Sequence, residues 1–392
     1  MNRKIFISTG EVSGDLHGGL LANALFNEAE KRSIDLEICG LGGERMRKEG
    51  VKILQDTTSI SAIGVWEALP LIIPTIQIQK KFYKSLKNLS PNCLVLIDYM
   101  GPNIKIGRKL KSEKNKIPIY YYIAPQEWAW RVGNNSTTDL ISFSDRIFAI
   151  FKQEANFYKR RGGNVLWIGH PMIDLIKKIP TKKDSRKILK LRANENILLI
   201  MPASRPQELK YVLPVFMQVA RKLQQKYPNL IVYIPSCREV FDSKFKLALD
   251  KYKVKGKVVS QKDIEELKTH IYSLTKLALC KSGTVNMELA LYGLPQIVGY
   301  RVSRVTAFIA KKILNFKVKF ISPVNLLVKK LIIPEFVQKE FEVKKIYEKA
   351  CRVIDRKSEK EKISKGYAYL KKELGQEGVV KRAAEEIINS LI

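Results

Sequence analysis

Apolar runs of strand length alternate with segments of helical periodicity through most of the chain. Such an alternation predicts parallel β-sheets with helices on both faces. In the first half, strands are predicted near Lys4 to Ser8, Leu36 to Gly40, Cys93 to Ile97, Ile119 to Ile123, Ile147 to Ile150 and Val165 to Ile168. In the second half, they are predicted near Ile197 to Pro202, Leu230 to Ile234, Lys257 to Val259, Leu277 to Cys280 and Gln296 to Tyr300.

The pattern and the length together predict two domains, because a chain of 392 residues is too long for one ordinary core. We expect a Rossmann-like domain over 1–176, a charged linker over 177–196, a second Rossmann-like domain over 197–374 and a terminal helix over 375–392. The terminal helix is amphipathic and is expected to pack back on the first domain. The predicted fold class is α/β, with two doubly wound sheets facing one cleft.

Composition narrows the class of protein. An apolar share of 45% and a charged share of 28% describe a folded, globular chain. The five cysteines contain no CxxC pair and are interpreted as core residues in a reducing compartment, not as a zinc site or disulfide framework. The apolar run behind the basic N-terminus is far shorter than a signal-peptide core, so we expect a cytoplasmic protein.

A net charge of +32 and a pI near 9.8 predict an anionic partner. Nucleic acid, an anionic membrane face and phosphorylated ligands all suit such a field. The lysines are spread along the chain without an RNP-like, zinc-finger or basic-helix motif, so no nucleic acid is expected. The positive charge is interpreted as an adaptation to a negatively charged surface. The alternative is that part of this charge reflects a compositional bias toward lysine.

Residues 62–78 break the alternation. The segment AIGVWEALPLIIPTIQI carries a single charge and two prolines, and Lys80 and Lys81 follow it. It is too short and interrupted to span a bilayer, yet more apolar than a surface helix of a soluble protein. Two interpretations stand equally at this point: an interfacial or acyl-chain-binding segment, and a pair of core helices under the first sheet.

A glycine-rich turn follows the first predicted strand. Gly10 and Gly14 allow a ligand to approach the backbone, and Glu11 and Asp15 could accept from sugar hydroxyls. The spacing is neither a dinucleotide fingerprint nor a P-loop. Ligand binding is favoured over a structural turn, which rarely needs two acids beside two glycines.

Two further strand ends carry candidate chemistry. Asp98 ends a buried apolar strand and suits a general base if its neighbours raise its pKa. The alternative is an N-cap of the next helix. After the following strand, Trp128 and Arg131 suggest a wall for a large ligand, with core packing of the tryptophan as the alternative.

Residues 277–301 predict a strand, a turn, a short helix and a second strand. The turn Ser282-Gly283-Thr284 would lie at the carboxyl edge of the sheet, where its amides and the helix N-terminus favour an anion. Glu288, one turn later, could accept from a sugar hydroxyl. Every α/β domain has such turns, so the segment alone does not decide between a phosphate or nucleotide site and an ordinary connecting turn.

Arg205 follows the first strand of the second domain and could bind a diphosphate from opposite that turn. The chain contains no Asp-x-Asp, the usual metal clamp of a sugar diphosphate, so neither a metal nor another cofactor is expected. The residues expected of a hydrolase site are missing: the chain has only three histidines, and Ser282 does not lie in a GxSxG nucleophile elbow.

Motifs that occur in order along nearly the whole chain carry a resemblance. They are GEVSGDLHGG, GLGGERM, LIDYMGPN, APQEWAWR, IGHPMID, MPASR, KSGTVNMELAL, VGYRVSRVTAFIAKKI and IPEFVQ. Together they resemble the lipid-A-disaccharide synthases, inverting glycosyltransferases of the GT-B fold in Gram-negative cell-envelope synthesis.

The resemblance implies transfer from UDP-2,3-diacylglucosamine to 2,3-diacylglucosamine 1-phosphate, giving a β(1→6) disaccharide and UDP without a metal. It implies acceptor binding in the first domain, UDP binding in the second and Asp98 as the general base. The residues matched to the donor side are Arg205, Ser282, Gly283, Thr284, Glu288, Tyr300, Asn325 and Gln338. Those expected on the acceptor side are Gly10, Glu11, Ser13, Gly14, Asp15, Trp128 and Arg131.

The chain departs from the family pattern at two positions. Where the family usually has IDAPDFN, this chain has IDYMGPN, so Gly101 replaces the second aspartate. Ala203 replaces a usual glycine before Ser204 and Arg205. Asp98 is therefore the single carboxylate left in its motif.

The segment 62–78 aligns with the membrane-facing region of the family, which favours interface binding. The residues expected to face the membrane are Val65, Trp66, Leu69, Leu71, Ile72 and Ile73. We expect peripheral attachment to the cytoplasmic face of an anionic inner membrane, and a homodimer as the assembly.

Three alternatives are weighed against this reading: a UDP-sugar epimerase, another GT-B lipid glycosyltransferase, and a non-catalytic basic protein that binds membrane or nucleic acid. An epimerase has no reason to expose residues 62–78. A basic binding module does not explain acids and glycines at strand ends.

Overall fold

A computed structural model describes residues 2–10, 12–58, 83, 86, 88–98, 100–113, 117–128, 136–202, 206–236, 239–302 and 319–392. The chain forms two compact units. The first consists of Met1–Asp174 with Leu374–Ile392, and the second of Leu175–Glu373.

The first unit is built on a parallel sheet. Its strands are β1 (Asn2–Ser8), β2 (Asp35–Gly42), β3 (Lys52–Asp56), β4 (Cys93–Ile97), β5 (Ile119–Tyr122), β6 (Arg146–Ala149) and β7 (Val165–Trp167). Their spatial order is β3-β2-β1-β4-β5-β6-β7, and each neighbouring pair is parallel. The direction of winding therefore reverses between β1 and β4, the switch point at which doubly wound sheets open a crevice.

Helices cover both faces of this sheet. They are α1 (Val12–Lys31), α2 (Glu44–Lys48), α3 (Met100–Ser112), α4 (Ser136–Phe143) and α5 (Lys152–Lys159). Side chains alternate across each strand, so Ile5 and Ile7 join one core layer while Phe6 joins the other. Burial on both faces explains why the strands are continuous apolar runs in the sequence.

The second unit repeats this plan. Its strands are β8 (Asn196–Met201), β9 (Leu230–Pro235), β10 (Gly256–Val259), β11 (Thr275–Lys281), β12 (Gln296–Tyr300) and β13 (Glu335–Val337). The order is β10-β9-β8-β11-β12-β13, again parallel throughout. The switch point lies between β8 and β11.

The described helices of the second unit include long and short members. They are α6 (Lys182–Leu189), α7 (Pro206–Lys226), α8 (Asp242–Lys251), α9 (Gln261–Leu274), α10 (Val285–Leu291), α11 (Pro323–Val328), α12 (Val343–Asp355) and α13 (Lys357–Leu374). Short 3₁₀ segments in the two units are Pro171–Leu175, Glu239–Phe241 and Gln338–Glu340.

The terminal helix α14 (Val379–Asn389) belongs to the first unit, in agreement with the expected fold class. It packs against α1 and buries Ala383 and Ile387 in that core. Its start is held by Asp174, whose carboxylate accepts from the backbone N–H groups of Gly378 and Val380 at 2.8 and 2.9 Å. An acidic side chain at a helix N-terminus is stabilising, so this end of the chain is anchored.

All eleven predicted strands are present, with bounds shifted by at most two residues. The structure adds β3 and β13, both at sheet edges. The stretch 177–196, expected to be a linker, lies within the second unit and contains α6, which packs against α9. A capped helix forms there because the Thr181 hydroxyl accepts from the backbone of Asp184 at 3.2 Å.

Residues 62–78 lie outside the described residues, and with them every side chain expected to face the membrane. Among the helices that the structure describes, none has the length and apolar character needed to cross a bilayer.

Candidate functional site

Candidate residues of the first unit lie at its switch point. Gly10 follows β1 and Asp98 follows β4, and these two strands are neighbours in which Ser8 pairs with Leu96. Open α/β sheets bind ligands in the crevice at this position. The sequence thus brings a glycine-rich turn and a carboxylate to the same place.

Asp98 has an unusual backbone conformation, with a φ of +44°. Aspartate visits this left-handed region more readily than most residues, but still as an exception. The carbonyl of Asp98 accepts from Asn103 Nδ2 at 2.9 Å and from the Tyr121 hydroxyl at 2.8 Å. The side chain is half-buried. Asp98 therefore stands at the crevice on a backbone fixed from two sides.

Asn103 is a site residue that the sequence did not predict. It lies on α3, is fully buried and donates from Nδ2 to the carbonyl of Ile97 at 3.2 Å as well as to that of Asp98. Its Oδ1 accepts from the Ser8 hydroxyl at 2.7 Å. The signal available was a polar residue five positions after Asp98, on an otherwise apolar helix face.

The glycine-rich turn also allows close packing between α1 and β1. A Cβ on Gly14 would lie 1.8 Å from Oγ1 of Thr9, so α1 can approach β1 this closely only with glycine there. Gly10 is buried and Ser13 is half-buried at the start of α1. Glu11 lies outside the described residues.

Asp15, which was expected on the acceptor side, is bonded to the backbone of another segment. Its carboxylate accepts from the backbone N–H groups of Gly43 at 2.7 Å, Arg45 at 3.0 Å and Met46 at 3.2 Å. The side chain is only 4% exposed. Asp15 thus stabilises the turn that leads into α2. Its carboxylate, which the sequence suggested for a contact to a sugar hydroxyl, is bonded to these backbone N–H groups. No sequence pattern connects it to a turn 28 residues away.

Trp128 is packed against other side chains of the first unit and is not fully covered by them. Its Nε1 donates to Oε1 of Gln126 at 2.5 Å, and its ring meets Phe151 edge-on at 6.0 Å between centroids. The residue remains half-buried, so one part of its surface stays open. Arg131 lies outside the described residues.

Two histidines of the first unit, His17 and His170, are buried. Burial, and to a smaller extent the charge of Arg45, lowers the pKa of His17 to about 4. Burial and His17 lower the pKa of His170 to about 3, and its ring lies 5.1 Å from that of Phe151. Both rings are therefore neutral at physiological pH.

Glu154 is a buried acid in the first turn of α5. Burial raises the pKa of Glu154 to about 8, although the backbone N–H groups of Ile150 and Phe151 donate to its Oε2 at 2.9 and 3.2 Å. Those two bonds identify Glu154 as the residue that caps α5.

In the second unit, the turn after β11 is held by hydrogen bonds to a backbone carbonyl of another segment and to a side chain of α10. The Ser282 hydroxyl donates to the carbonyl of Ile321 at 2.6 Å, and the N–H of Gly283 donates to Oδ1 of Asn286 at 2.9 Å. The amide of Gly283, expected to face an anion, is thus already bonded. Thr284 is exposed and its side chain does not cap α10.

A buried polar network holds this turn from below. Asn286 Nδ2 donates to Oε1 of Gln296 at 3.1 Å and to the carbonyl of Lys281 at 3.2 Å. Gln296 Nε2 donates to the hydroxyl of Tyr367 at 3.0 Å, which donates to the carbonyl of Leu294 at 2.9 Å. Because Asn286 and Gln296 are fully buried, unpaired amides there would be costly.

Asn325, which the resemblance places on the donor side, is bonded within the second unit. Its Nδ2 donates to the carbonyl of Ile333 at 2.8 Å and to Oε1 of Glu335 at 2.7 Å. Its Oδ1 accepts from the backbone of Ile332 at 2.9 Å and of Ile333 at 3.0 Å. All polar atoms of this fully buried amide are paired, so Asn325 ties α11 to β13 where the resemblance implied a donor contact.

Glu335 extends this arrangement to the turn. Its Oε2 accepts from the backbone of Ile321 at 2.8 Å, and its Oε1 accepts from the backbone and hydroxyl of Ser322 at 2.9 and 2.6 Å. Ile321 in turn accepts from Ser282. Asn325 and Glu335 therefore act on the turn through Ile321.

The remaining residues that the resemblance places on the donor side are distributed along the carboxyl edge of the second sheet. Glu288 pairs with Lys268 at 2.9 Å and is partly exposed. Tyr300 ends β12, and its ring lies 5.7 Å from the ammonium of Lys281. Gln338 follows β13 with a φ of +50°. Its carbonyl accepts from Arg301 Nη2 at 3.1 Å.

Arg205 lies outside the described residues, one position before α7. Within the described part of the chain, no group of three or more His, Cys, Asp or Glu side chains could hold a metal ion. Metal independence therefore stays a prediction from the sequence.

Comparison with known proteins connects this geometry to one family. A family model described as Lipid-A-disaccharide synthetase matches residues 5–389. The lipid-A-disaccharide synthase of Prochlorococcus marinus (strain MIT 9313) is 47% identical over 386 residues, which cover 98% of this chain and 98% of that protein.

Solved structures share the fold at low identity. S. aureus MnaA, in a co-structure with UDP, has a TM-score of 0.66 and 14% identity, covering 100% of this chain and 98% of its own. The glycosyltransferase of kitacinnamycin has a TM-score of 0.64 and 11% identity, covering 100% of both. At such identities the likeness concerns the fold alone, and it confirms the GT-B class.

Proposed function

Because the chain belongs to the lipid-A-disaccharide synthase family, we propose that it joins UDP-2,3-diacylglucosamine to 2,3-diacylglucosamine 1-phosphate. The products are the β(1→6)-linked disaccharide 1-phosphate and UDP. The observation that carries this proposal beyond the family is the carboxylate of Asp98 at the switch point of the first sheet.

In the proposed reaction, the 6-hydroxyl oxygen of the acceptor attacks the anomeric carbon of the donor. The bond from that carbon to the diphosphate oxygen breaks, and UDP leaves with the bonding electron pair. The carboxylate of Asp98 takes the hydroxyl proton. Attack from the side opposite the leaving group inverts the anomeric centre.

Three features support Asp98 as the base. It ends a fully buried strand beside the glycine-rich turn, at the position where ligands approach such sheets. Its backbone is held in a rarely used conformation, which proteins retain mainly where the surroundings enforce it. Asp15, another described acid of this region, is instead bonded to three backbone N–H groups.

We propose that UDP binds along the carboxyl edge of the second sheet. Thr284 is exposed at the start of α10, and Tyr300 and Gln338 end neighbouring strands there. Arg205 follows β8 in sequence and would supply the charge for the diphosphate, without a metal. Ser282, Gly283 and Asn325 would shape the turn from behind.

The proposed lipid substrates require a membrane surface. Residues 62–78 and the lysines that follow them suit an anionic bilayer face, with apolar side chains inserted and cations above. We propose peripheral attachment to the cytoplasmic face of the inner membrane. A homodimer stays a prediction from the family resemblance.

The test is to incubate the purified protein with both lipid substrates and to detect UDP and a tetraacyl disaccharide by mass spectrometry. Asp98→Asn serves as the matched control. The expected result is disaccharide formation that requires both substrates and continues with a chelator present. Conversion of the UDP-sugar without an acceptor would instead support an epimerase and overturn the proposal.

A further inference from the structure

We propose that Asn103 and Tyr121 are positioning residues that hold Asp98 in the orientation needed for proton abstraction. The inference rests on the proposed function, because it assigns both residues a part in that reaction. Neither residue needs to touch a substrate. Both act on Asp98 through its backbone.

Asn103 forms hydrogen bonds to the ends of both β1 and β4, the strands that flank the switch point. Its Nδ2 lies 2.9 Å from the carbonyl oxygen of Asp98, 3.2 Å from that of Ile97 and 3.4 Å from that of Ser8. Its Oδ1 accepts from the hydroxyl of Ser8 at 2.7 Å. The side chain is 0% exposed, so water does not compete for these groups.

Tyr121 reaches the same carbonyl from the neighbouring strand. Its hydroxyl donates to the Asp98 carbonyl oxygen at 2.8 Å, and its side chain is 0% exposed. Burial raises the pKa of Tyr121 well above its ordinary value, so the hydroxyl stays a donor at every pH at which an assay is run. Two donors on one carbonyl fix the peptide plane that follows Asp98.

The backbone of Asp98 explains why this fixing matters. Its φ of +44° lies in the left-handed region, which is less favourable for aspartate than the right-handed or extended regions. A residue held there relaxes to another region when its restraints are removed. Relaxation would turn the Cα–Cβ bond and with it the carboxylate, and a misplacement near 1 Å can cost about 100-fold in rate.

The strand offers a matched pair of variants. Tyr121→Phe removes the hydroxyl that contacts Asp98. Tyr122→Phe makes the same change at the next residue of β5, where the side chain is also 0% exposed and its hydroxyl has no hydrogen-bond partner among the described residues. The pair therefore separates contact with Asp98 from the general effect of losing a buried hydroxyl.

The measurements are kcat and KM for both lipids, and the affinity for UDP. We expect Tyr121→Phe to lower kcat by about 10-fold, with KM and UDP affinity near those of the parent, and Tyr122→Phe to resemble the parent. Asn103→Ala should lower kcat further, by about 100-fold. Tyr121→Phe keeps the test decisive if Asn103→Ala does not fold.

The same substitutions are then made in an Asp98→Asn background. If Tyr121 acts through the carboxylate, its substitution has no further effect on kcat once that carboxylate is gone. An equal loss in both backgrounds, or a loss in the parent no larger than that of Tyr122→Phe, would overturn the inference. Near-parental turnover of Asp98→Asn alone would overturn the base assignment itself, and with it this inference.

Discussion

At the scale of single residues, the polar side chains of the two carboxyl edges fall into two groups. Asp15 and Asn325 are buried and bonded to backbone groups of other segments, 28 residues away for Asp15 and 8 residues away for Asn325. Asp98, Tyr300 and Gln338 are half-buried and end their strands. The first group fixes loops at these edges, and the second group lies where we propose that the ligands bind.

Asn325 gives a direct test of this division. Asn325→Ala would remove the side-chain partner of both the N–H and the carbonyl of buried Ile333 and one of the donors to Glu335, so the free energy of unfolding should fall by roughly 3 kcal/mol. Urea unfolding measures this. Asn27→Ala, on the exposed face of α1, is the control and should change stability by less than about 0.5 kcal/mol. Unchanged stability with lost UDP affinity would return Asn325 to the donor site.

His17 predicts a pH dependence of stability. Its pKa is about 4 in the folded protein, against 6.5 when unfolded, so below pH 6.5 the unfolded state binds more protons. Stability is therefore complete above pH 6.5 and is lost as the pH falls toward 4, by about 1.4 kcal/mol per pH unit at most. His170 should add a loss of the same sign, because burial lowers its pKa to about 3.

Urea unfolding of the parent and of His17→Gln between pH 7.5 and 4.5 checks this expectation. The variant should lose stability less steeply with falling pH. Glu154 acts in the opposite sense, since its raised pKa weakens the fold as pH rises toward 8, but it is common to both proteins and cancels in their difference. Parallel curves would show that His17 is not the group that titrates.

At the scale of elements, the approach of α1 to β1 depends on Gly14. A Cβ there would lie 1.8 Å from Thr9 Oγ1, so Gly14→Ala should shift the helix and lower the free energy of unfolding by about 1 to 3 kcal/mol. Gly101→Ala is the matched control at the start of α3, where an added Cβ meets nothing within 4 Å. It should be neutral or stabilising by up to about 1 kcal/mol. Equal effects would contradict the packing account.

The elements themselves were largely predictable because both sheets are covered on both faces. Fully buried strands such as β4 and β8 are continuous apolar runs, which mark them in the sequence. The strands that escaped prediction, β3 and β13, lie at sheet edges and are only partly buried, so their sequences mix polar and apolar residues. Helix α6 was not predicted because its many charged residues resemble those of a linker.

The positions of the site residues were predictable at the strand ends, and their partners were not. Asp98 and the turn at Ser282 follow apolar strands, and parallel strands end at a common edge. The partners of Asp15 and Asn103 are carbonyls and N–H groups on other elements, up to 95 residues away. Local pattern contains no information on such contacts.

At the scale of the whole molecule, the net charge of +32 and the apolar segment 62–78 both suit the anionic bilayer that we propose as a partner. An anionic bilayer attracts juxtamembrane cations with about 1 kcal/mol each, and the attraction fades within roughly 8 Å at physiological salt. Apolar insertion does not fade with salt. Binding by both should therefore weaken with salt without disappearing.

Vesicle flotation tests this expectation. The parent should bind vesicles that contain phosphatidylglycerol, more weakly as salt rises, and bind neutral phosphatidylcholine vesicles poorly. Substitution of Leu71, Ile72 and Ile73 by serine should release the protein while its unfolding curve stays unchanged. The matched control replaces three exposed apolar residues of the second unit, Val240, Leu247 and Leu331, by serine and should keep binding.

A parent that does not bind anionic vesicles at low salt, together with a Leu71/Ile72/Ile73 variant that unfolds, would assign the segment to the core. Equal release by both triple variants would instead point to general loss of apolar surface. Either result removes the membrane role proposed for residues 62–78.

Asp98→Asn tests the central claim most directly, because it removes a charge with little change of shape and keeps any helix-capping ability. The measurements are the turnover number of the Asp98→Asn protein and of the parent with both lipid substrates, and the affinity of each protein for UDP by calorimetry. If Asp98 is the general base, turnover falls by about 10² to 10⁴-fold while UDP affinity and the unfolding curve stay unchanged. Near-normal turnover in a folded Asp98→Asn protein would contradict the account.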